Sequence, residues 1–263
     1  MTPKTLVVPL DGSPYAERAL PIAEAVAERI GGGLLLVSAR YHGPLDPRQY
    51  LEEQAAPRDR CPVDLIATTE ETYAAEIIAD AVTAGEDRVV CMTTHGRGGV
   101  RWAALGSVAE DVIGRTDRPI LLVGRNCRPD SLDRSRLLVC ADGSDECPER
   151  LAPAARDWAQ MLGLEVHVGR VTHPLDVDSA ERSDVLLDAL AAQFGVSGRS
   201  HATIVRSRFV AGALADLADD LPAAIAATHS HARRGLNRFA LGSVTMGVVH
   251  LASCPVLVTH VAV

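Results

Sequence analysis

The sequence has few aromatic residues and no surplus of positive charge. Aromatic side chains make up 3% of the 263 residues, so the core must be built from aliphatic side chains, which disfavours an aromatic-rich β-sandwich and favours α/β layers. The 26 basic residues are outnumbered by 34 acidic ones, for a formal charge of −8. This balance argues against a general nucleic-acid binder, whose affinity comes largely from neutralising phosphates. It leaves room for a local pocket that binds one small phosphate ligand.

Several signatures of other protein classes are missing. The six cysteines form no C-x-x-C pair, and at least Cys91, Cys140 and Cys254 sit within or beside apolar runs. We predict buried, reduced thiols there and a reducing compartment. No uncharged apolar run reaches the roughly 18–20 residues of a membrane span, and no leader pattern opens the chain. We therefore predict a soluble, cytoplasmic protein with no membrane partner. Neither the P-loop G-x-x-x-x-G-K-S/T nor the nucleophile elbow G-x-S-x-G occurs, which argues against a P-loop NTPase and against a hydrolase of the nucleophile-elbow type. The leading interpretation therefore has no catalytic residues and no enzymatic activity.

The sequence does contain an internal repeat, which is its most informative feature. The segment LVVPLDGS, which starts at Leu6, recurs in altered form from Leu137, an offset of 131. The segment ALGSV, which starts at Ala104, recurs unchanged from Ala240, an offset of 136. A third match near the end of each copy has the same offset of 136. Ordered matches at a nearly constant offset indicate a tandem duplication.

We predict a first domain at residues 1–126, a linker at residues 127–134 and a second domain at residues 135–263. Each copy alternates apolar strands with amphipathic helices. In the first copy the predicted strands are Thr5–Leu10, Leu34–Ser38, Val63–Thr68, Arg88–Thr93 and Ile120–Val123. The predicted helices are Tyr15–Ile30, Gln49–Ala55, Tyr73–Ala84 and one that starts at Ser107. This alternation predicts an α/β fold of two tandem doubly wound domains, each with a mostly parallel sheet flanked by helices.

The candidate binding residues follow the ends of predicted strands, where doubly wound sheets bind ligands. One group follows the first strand of each copy, and the other belongs to the glycine-rich segment after the fourth strand. The candidates are Pro9, Asp11, Gly12, Ser13, Thr93, His95, Gly96, Arg97, Gly98, Gly106, Ser107 and Val108 in the first copy, and Asp142, Gly242, Ser243 and Val244 in the second.

These residue types suit a mononucleotide. Glycines let the backbone approach a ligand, and consecutive N–H groups can converge on phosphate oxygens. Ser107 opens a helix, whose N-terminus favours an anion. An acidic residue opposite, Asp11, can accept hydrogen bonds from ribose hydroxyls or an adenine amino group. Each motif alone also fits a plain turn or helix cap, and that alternative stays open.

The order of these residues resembles the universal stress protein family. Its ATP-binding members carry Gly, two residues, Gly, nine residues, and then Gly with Ser or Thr. In this chain Gly96, the nine residues 97–105, Gly106 and Ser107 match that pattern. The resemblance covers nearly the whole chain twice and implies a five-stranded parallel sheet per domain, dimerisation through the last strand and a cytoplasmic stress-response role. It also implies reversible ATP or AMP binding without an assigned reaction.

The two copies depart from the family pattern to different degrees. Thr93 replaces the first glycine in the first copy, and His229 and Ala232 replace both loop glycines in the second. A side chain at a loop position that needs positive φ costs on the order of 1 kcal/mol or more, so we predict that ATP binds chiefly in the first domain. Arg97, and Arg233–Arg234 in the second copy, either neutralise phosphate or lie in solvent.

We predict no metal site built from side chains, because the two histidines at 229 and 231 are too few for structural zinc. Mg²⁺ could still be held through the phosphates of the nucleotide.

Three functional interpretations remain. The first is an ATP-binding stress-response regulator, with an adenine nucleotide as its partner and either an internal pseudo-dimer of its two domains or a homodimer. The second is an interaction module of the same fold that dimerises without nucleotide. The third is an enzyme that uses adenine nucleotide to activate a substrate. It would need a Ser-Gly-Gly-x-Asp-Ser loop after the first strand, which Leu10–Ser13 does not match.

Overall fold

The structure is a computed structural model that describes the following residues: 3–39, 46–68, 73–94, 106–142, 144, 146–175, 180–195, 201–230 and 241–260. The chain divides into two compact units. The first unit extends to Val123, and the second contains residues 124–230 and 242–259. The predicted domain boundaries at residues 126 and 135 stay predictions.

Strands and helices alternate in the first unit. In chain order they are β1 (Thr5–Pro9), α1 (Ala19–Ile30), β2 (Gly33–Ala39), α2 (Pro47–Ala55), β3 (Val63–Thr68), α3 (Ala74–Thr83), β4 (Arg88–Thr93), α4 (Ser107–Arg115) and β5 (Ile120–Val123). The strand order is β3-β2-β1-β4-β5, and the neighbouring strands pair in parallel. This is the predicted doubly wound arrangement.

The second unit repeats the alternation. Its elements are β6 (Arg136–Ala141), α5 (Glu146–Leu162), β7 (Glu165–Thr172), α6 (Ala180–Gln193), β8 (Ala202–Arg206), α7 (Val210–Asp220), β9 (Ala223–Ser230), α8 (Ser243–Leu251) and β10 (Val256–His260). The strand order is β8-β7-β6-β9-β10. β6 pairs in parallel with β7 and β9, and β7 pairs in parallel with β8. Within the described ranges no helix is both long and apolar enough to cross a bilayer.

The sheet cores are aliphatic, as the composition predicts. Leu6, Val7 and Val8 of β1 are fully buried, so both faces of the strand are covered, as in a parallel sheet flanked by helices. α1 ends at Gly31, whose φ of 60° gives the left-handed cap that favours glycine. α2 begins after Asp46, whose carboxylate accepts the amide of Gln49 at 2.9 Å.

Some predicted boundaries shift. The helix predicted from Tyr15 starts instead as a short 3-10 turn at Ala16–Arg18, and the α-helix begins at Ala19. α2 is longer than predicted because it starts at Pro47, a residue whose ring fits the first helical position. The predicted strands β3, β4 and β5 are confirmed residue for residue.

The strand register agrees with the internal repeat. Val7 of β1 pairs with Val90 of β4, and Leu138 of β6 pairs with Ala226 of β9. Leu138 follows Val7 by 131 residues and Ala226 follows Val90 by 136 residues, which are the offsets of the matching motifs. Equivalent positions of the two copies can therefore be compared residue by residue at the ends of these strands.

The segment predicted as a linker is packed against the second unit. It forms a 3-10 helix at Pro129–Asp133 with Leu132 buried. The guanidinium of Arg134 donates to the carbonyl of Ala223 at 3.2 Å and to the hydroxyl of Ser253 at 3.0 Å. These contacts fix the segment to β9 and to the turn before β10.

The six cysteines are all buried, which confirms the prediction for Cys91, Cys140 and Cys254 and extends to the other three. Burial raises the pKa of Cys147 to about 11 and that of Cys254 to about 12. A thiol with such a pKa carries very little thiolate at neutral pH, and the thiolate is the reactive form. These residues therefore serve as small apolar side chains of the core.

A buried histidine lies in β7 of the second unit. The Nε2 atom of His167 is 2.8 Å from the hydroxyl of Thr203. Burial lowers the pKa of His167, and the positive charges of Arg136 and His201 lower it further. A proton on this ring is therefore less favourable in the folded chain than in the unfolded chain.

This histidine predicts a pH dependence of stability. Between the lowered pKa and about 6.5, the unfolded chain binds more protons than the folded chain, so the free energy of unfolding rises with pH in that window and is lost as pH falls. We expect urea unfolding at pH 5 and pH 7.5 to show a larger acid loss for the wild-type chain than for His167→Gln, whose amide can still bond Thr203. Equal acid losses in the two proteins would contradict this.

Candidate functional site

The candidate site of each unit lies where the strand order reverses. In the first unit β2 and β3 lie on one side of β1, and β4 and β5 lie on the other. Asp11 follows β1, and Gly106 precedes α4, the helix after β4. In the second unit β6 holds the same position between β7 and β9, with Asp142 after β6 and Gly242 before α8. Doubly wound sheets bind ligands in the crevice at such a reversal.

The turn after β1 holds a carboxylate in a fixed orientation. β1 ends at Pro9, and Oδ1 of Asp11 accepts both the amide of Ser13 at 2.9 Å and its hydroxyl at 2.6 Å. The Ser13 hydroxyl oxygen in turn accepts the amide of Ala16 at 3.2 Å. Gly12 has φ of 78°, in the left-handed region that favours glycine. Asp11 and Ser13 therefore do form the turn and helix cap that the sequence left open as the alternative to ligand binding.

The second copy builds the same turn. Oδ1 of Asp142 accepts the amide and the hydroxyl of Ser144, both at 2.8 Å, and the Ser144 hydroxyl oxygen accepts the amide of Cys147 at 3.3 Å. Gly143 lies outside the described residues. Asp142 is exposed, whereas Asp11 is half-buried. The two turns have the same hydrogen bonds but a different exposure to solvent.

The start of α4 is joined to the end of β4, the strand that pairs with β1. The amide of Gly106 donates to the carbonyl of Thr94 at 2.8 Å, which joins the helix start to the end of β4. Gly106 has φ of −65° and ψ of 146°, an extended conformation open to any residue. Ser107 is exposed and Val108 half-buried. Amides in the first turn of a helix lack intrahelical partners and favour an anion.

The start of α8 is built in a different way. The amide of Gly242 donates to the side-chain hydroxyl of Ser230 at 3.1 Å, and Ser243 and Val244 are exposed. Gly242 has φ of −58°, and a Cβ atom there would meet no described atom within 4 Å. Neither the backbone conformation nor packing against the described residues therefore requires glycine at this position.

The family of the chain follows from its two copies. A sequence profile described as the universal stress protein family matches residues 2–124 and, a second time, residues 134–260. The chain belongs to the universal stress protein family. It is a stress-response protein of that family with two tandem domains, as its internal repeat predicted.

Solved structures of universal stress proteins resemble the whole chain in fold. One from Archaeoglobus fulgidus DSM 4304 has a TM-score of 0.69 and 18% identity, and the match covers 99% of each chain. A putative one from Pseudomonas aeruginosa UCBPP-PA14 has a TM-score of 0.68 and 17% identity, over 98% of this chain and 94% of the other. At this identity the likeness shows the fold alone.

A curated relative matches a single copy. The Thermus aquaticus protein described as "universal stress protein in QAH/OAS sulfhydrylase 3′ region" is 28% identical over 134 residues, which are 46% of this chain and 98% of that protein. Its length therefore corresponds to one domain of this tandem universal stress protein.

One physical reason for ranking the two nucleotide sites is wrong. His229 was expected at a loop position that needs positive φ, but it lies inside β9, and its Nδ1 is 3.0 Å from the buried hydroxyl of Thr259. Thr93 is the buried last residue of β4. Among the described residues other than glycine, positive φ occurs only at Pro222. A histidine in an extended strand has no such conformational cost, so His229 gives no reason to rank the first site above the second.

Part of the predicted phosphate loop lies outside the described residues. These positions are His95, Gly96, Arg97 and Gly98 in the first domain, and His231, Ala232, Arg233 and Arg234 in the second. Their roles in binding stay predictions.

Two tyrosines at the first site were missed from the sequence. The hydroxyl of Tyr15 is 3.4 Å from that of Thr94, so it links the turn after β1 to the end of β4. Tyr50 of α2 donates its hydroxyl to Glu17 at 2.9 Å. Tyr15 lies close to Asp11 in the sequence, a signal that could have been used, whereas no sequence pattern placed Tyr50 near the site.

Proposed function

We propose that this universal stress protein is a cytoplasmic regulator that binds an adenine nucleotide, ATP, chiefly in its first domain. The observation that carries the proposal is that hydrogen-bond acceptors and donors both lie at the strand-order reversal. The acceptor is the fixed carboxylate of Asp11, and the donors are the amides at the start of α4. A nucleotide needs hydrogen-bond acceptors for its ribose or base and donors for its phosphates. Both kinds of group are present at the reversal, Asp11 after β1 and the amides of α4 after β4.

The described residues fit such a ligand. Asp11 would accept hydrogen bonds from the ribose or the adenine amino group, and the amides of Ser107 and Val108 would donate to phosphate oxygens. At the equivalent position of the second domain, a Cβ atom on Gly242 would meet no described atom within 4 Å, so the described residues leave room for a ligand there. A bound Mg²⁺ ion would be held through the phosphates. The proposed role is regulatory binding rather than catalysis.

The carboxylate provides the direct test. Asp11→Ala is expected to weaken ATP binding about 10- to 100-fold, because a charge-assisted hydrogen bond contributes roughly 1.5–3 kcal/mol. The matched change, Asp142→Ala, removes the same turn in the second domain and is expected to have a smaller effect. Calorimetric titration of ligand-stripped full-length protein measures both. Losses of equal size would contradict first-domain preference, and an absence of heat with the wild-type chain would contradict nucleotide binding itself.

An interaction through the last strands is a second proposal. β5 and β10 end the strand order of their own units and are rich in aliphatic residues. Edge strands have N–H and C=O groups that require pairing or cover. We propose that these strands pair, either within one chain or between two chains. Sedimentation velocity distinguishes a monomer from a homodimer, and a crystal structure with both strands facing solvent unpaired would contradict the proposal.

A further inference from the structure

Tyr50 connects α2 to the segment that follows the first-domain turn. Its side chain is only 6% exposed, and its hydroxyl donates to Oε1 of Glu17 at 2.9 Å. Glu17 belongs to the 3-10 turn Ala16–Arg18, which the hydrogen bonds of Ser13 join to Asp11. One phenol hydroxyl therefore ties a separate helix to the segment that carries the candidate ligand carboxylate.

The same hydroxyl lies close to the turn itself. Burial, the hydrogen bond and charge of Glu17, and the charge of Asp11 raise the pKa of Tyr50 well above its ordinary value, while the Gly12 amide acts in the opposite direction. The phenol therefore stays protonated at neutral pH and remains a hydrogen-bond donor. Asp11 and Gly12, the two residues of the turn, therefore both lie near the Tyr50 hydroxyl.

The second domain keeps the inner turn but lacks this outer contact. The position equivalent to Glu17, 131 residues later, is Pro148, which has no carboxylate. Asp142 is exposed whereas Asp11 is half-buried, although their hydrogen bonds to the following serine are the same. The tyrosine and its carboxylate partner therefore accompany the more buried of the two turns.

We propose that Tyr50, held by Glu17, is a positioning residue of the first nucleotide site, and that it fixes the Asp11–Gly12 turn for ligand binding. This rests on the proposed function and gives the first-domain preference a basis other than loop glycines. A turn held in its binding orientation avoids an ordering cost when ligand binds. A carboxylate shielded from water also makes stronger hydrogen bonds than an exposed one.

The test compares two tyrosine hydroxyls of the same chain. Tyr50→Phe removes the hydroxyl and keeps the ring, and it is expected to weaken ATP binding by the full-length protein about 3- to 10-fold, the value of one hydrogen bond. The control is Tyr73→Phe, since Tyr73 also donates to a carboxylate, that of Asp111, but is 46% exposed and lies directly before α3. The control is expected to bind ATP as the wild type does.

A further pair of variants separates positioning from a general loss of stability. Glu17→Gln keeps an acceptor for the phenol and is expected to retain more ATP affinity than Glu17→Ala. Hydrogen–deuterium exchange without ligand provides a readout that does not depend on nucleotide. Amides of residues 11–16 are expected to exchange faster in Tyr50→Phe than in Tyr73→Phe, with exchange in the second domain unchanged.

The outcomes separate this inference from the proposed function. Wild-type affinity in Tyr50→Phe would overturn the inference and leave nucleotide binding standing. If the wild-type chain binds no ATP, the proposed function fails, and exchange in the turn decides whether Tyr50 orders it. Unchanged exchange in Tyr50→Phe would overturn the positioning role in either case.

Discussion

Replacing Gly106 with leucine is expected to abolish most ATP binding while the fold is retained. Gly106 is extended, with φ of −65°, so leucine can adopt its backbone conformation. The new side chain would fill the space that a phosphate needs in front of α4. Loss of two hydrogen bonds to a charged group, at roughly 1.5–3 kcal/mol each, corresponds to at least about 100-fold in affinity.

The matched variant is Gly242→Leu in the second domain. A Cβ atom at Gly242 meets no described atom within 4 Å, so this variant is also expected to fold. Because ATP is proposed to bind chiefly in the first domain, the affinity of Gly242→Leu for ATP should differ little from that of the wild-type chain. Calorimetric titration gives the affinities, and far-UV circular dichroism checks the fold of both variants. Equal losses would show that both helix starts contact phosphate.

Trp158→Ala is expected to give the largest loss of stability, about 3–5 kcal/mol in the free energy of unfolding. Trp158 lies on α5 and is 1% exposed, so truncation leaves a cavity in the core of the second unit. Leu175→Ala is the control, because Leu175 is 71% exposed and should change stability by no more than about 0.5 kcal/mol. Urea unfolding followed by circular dichroism measures both. Similar small losses would place Trp158 outside the core.

The strands β1, β2, β4 and β5 could be predicted from the sequence because they are buried on both faces. Such strands are continuous aliphatic runs, as at Ile120–Val123, and no partner has to be known to recognise them. Helix ends followed from local chemistry, as at Gly31, whose left-handed conformation ends α1. Asp11 and Gly106 could be placed at one site because parallel strands end at the same edge of a sheet.

The contacts that tune the site depend on tertiary packing. Tyr50 and Glu17 are 33 residues apart, and no periodic pattern indicates that α2 covers the turn after β1. His229 was misplaced because the motif spacing suggested a loop, whereas β9 extends to Ser230. The hydrogen bond between His229 and Thr259 joins residues 30 apart in the sequence. It gives the buried imidazole a polar partner that the motif spacing did not indicate.

Native mass spectrometry of the ligand-stripped full-length chain with ATP tests the central claim most directly. The wild-type chain is expected to bind ATP with one site filling first, and Gly242→Leu should behave in the same way. Gly106→Leu should lose that first binding event. Wild-type protein that binds no ATP, or an undiminished first binding event in Gly106→Leu, would contradict the claim that this universal stress protein binds ATP chiefly in its first domain.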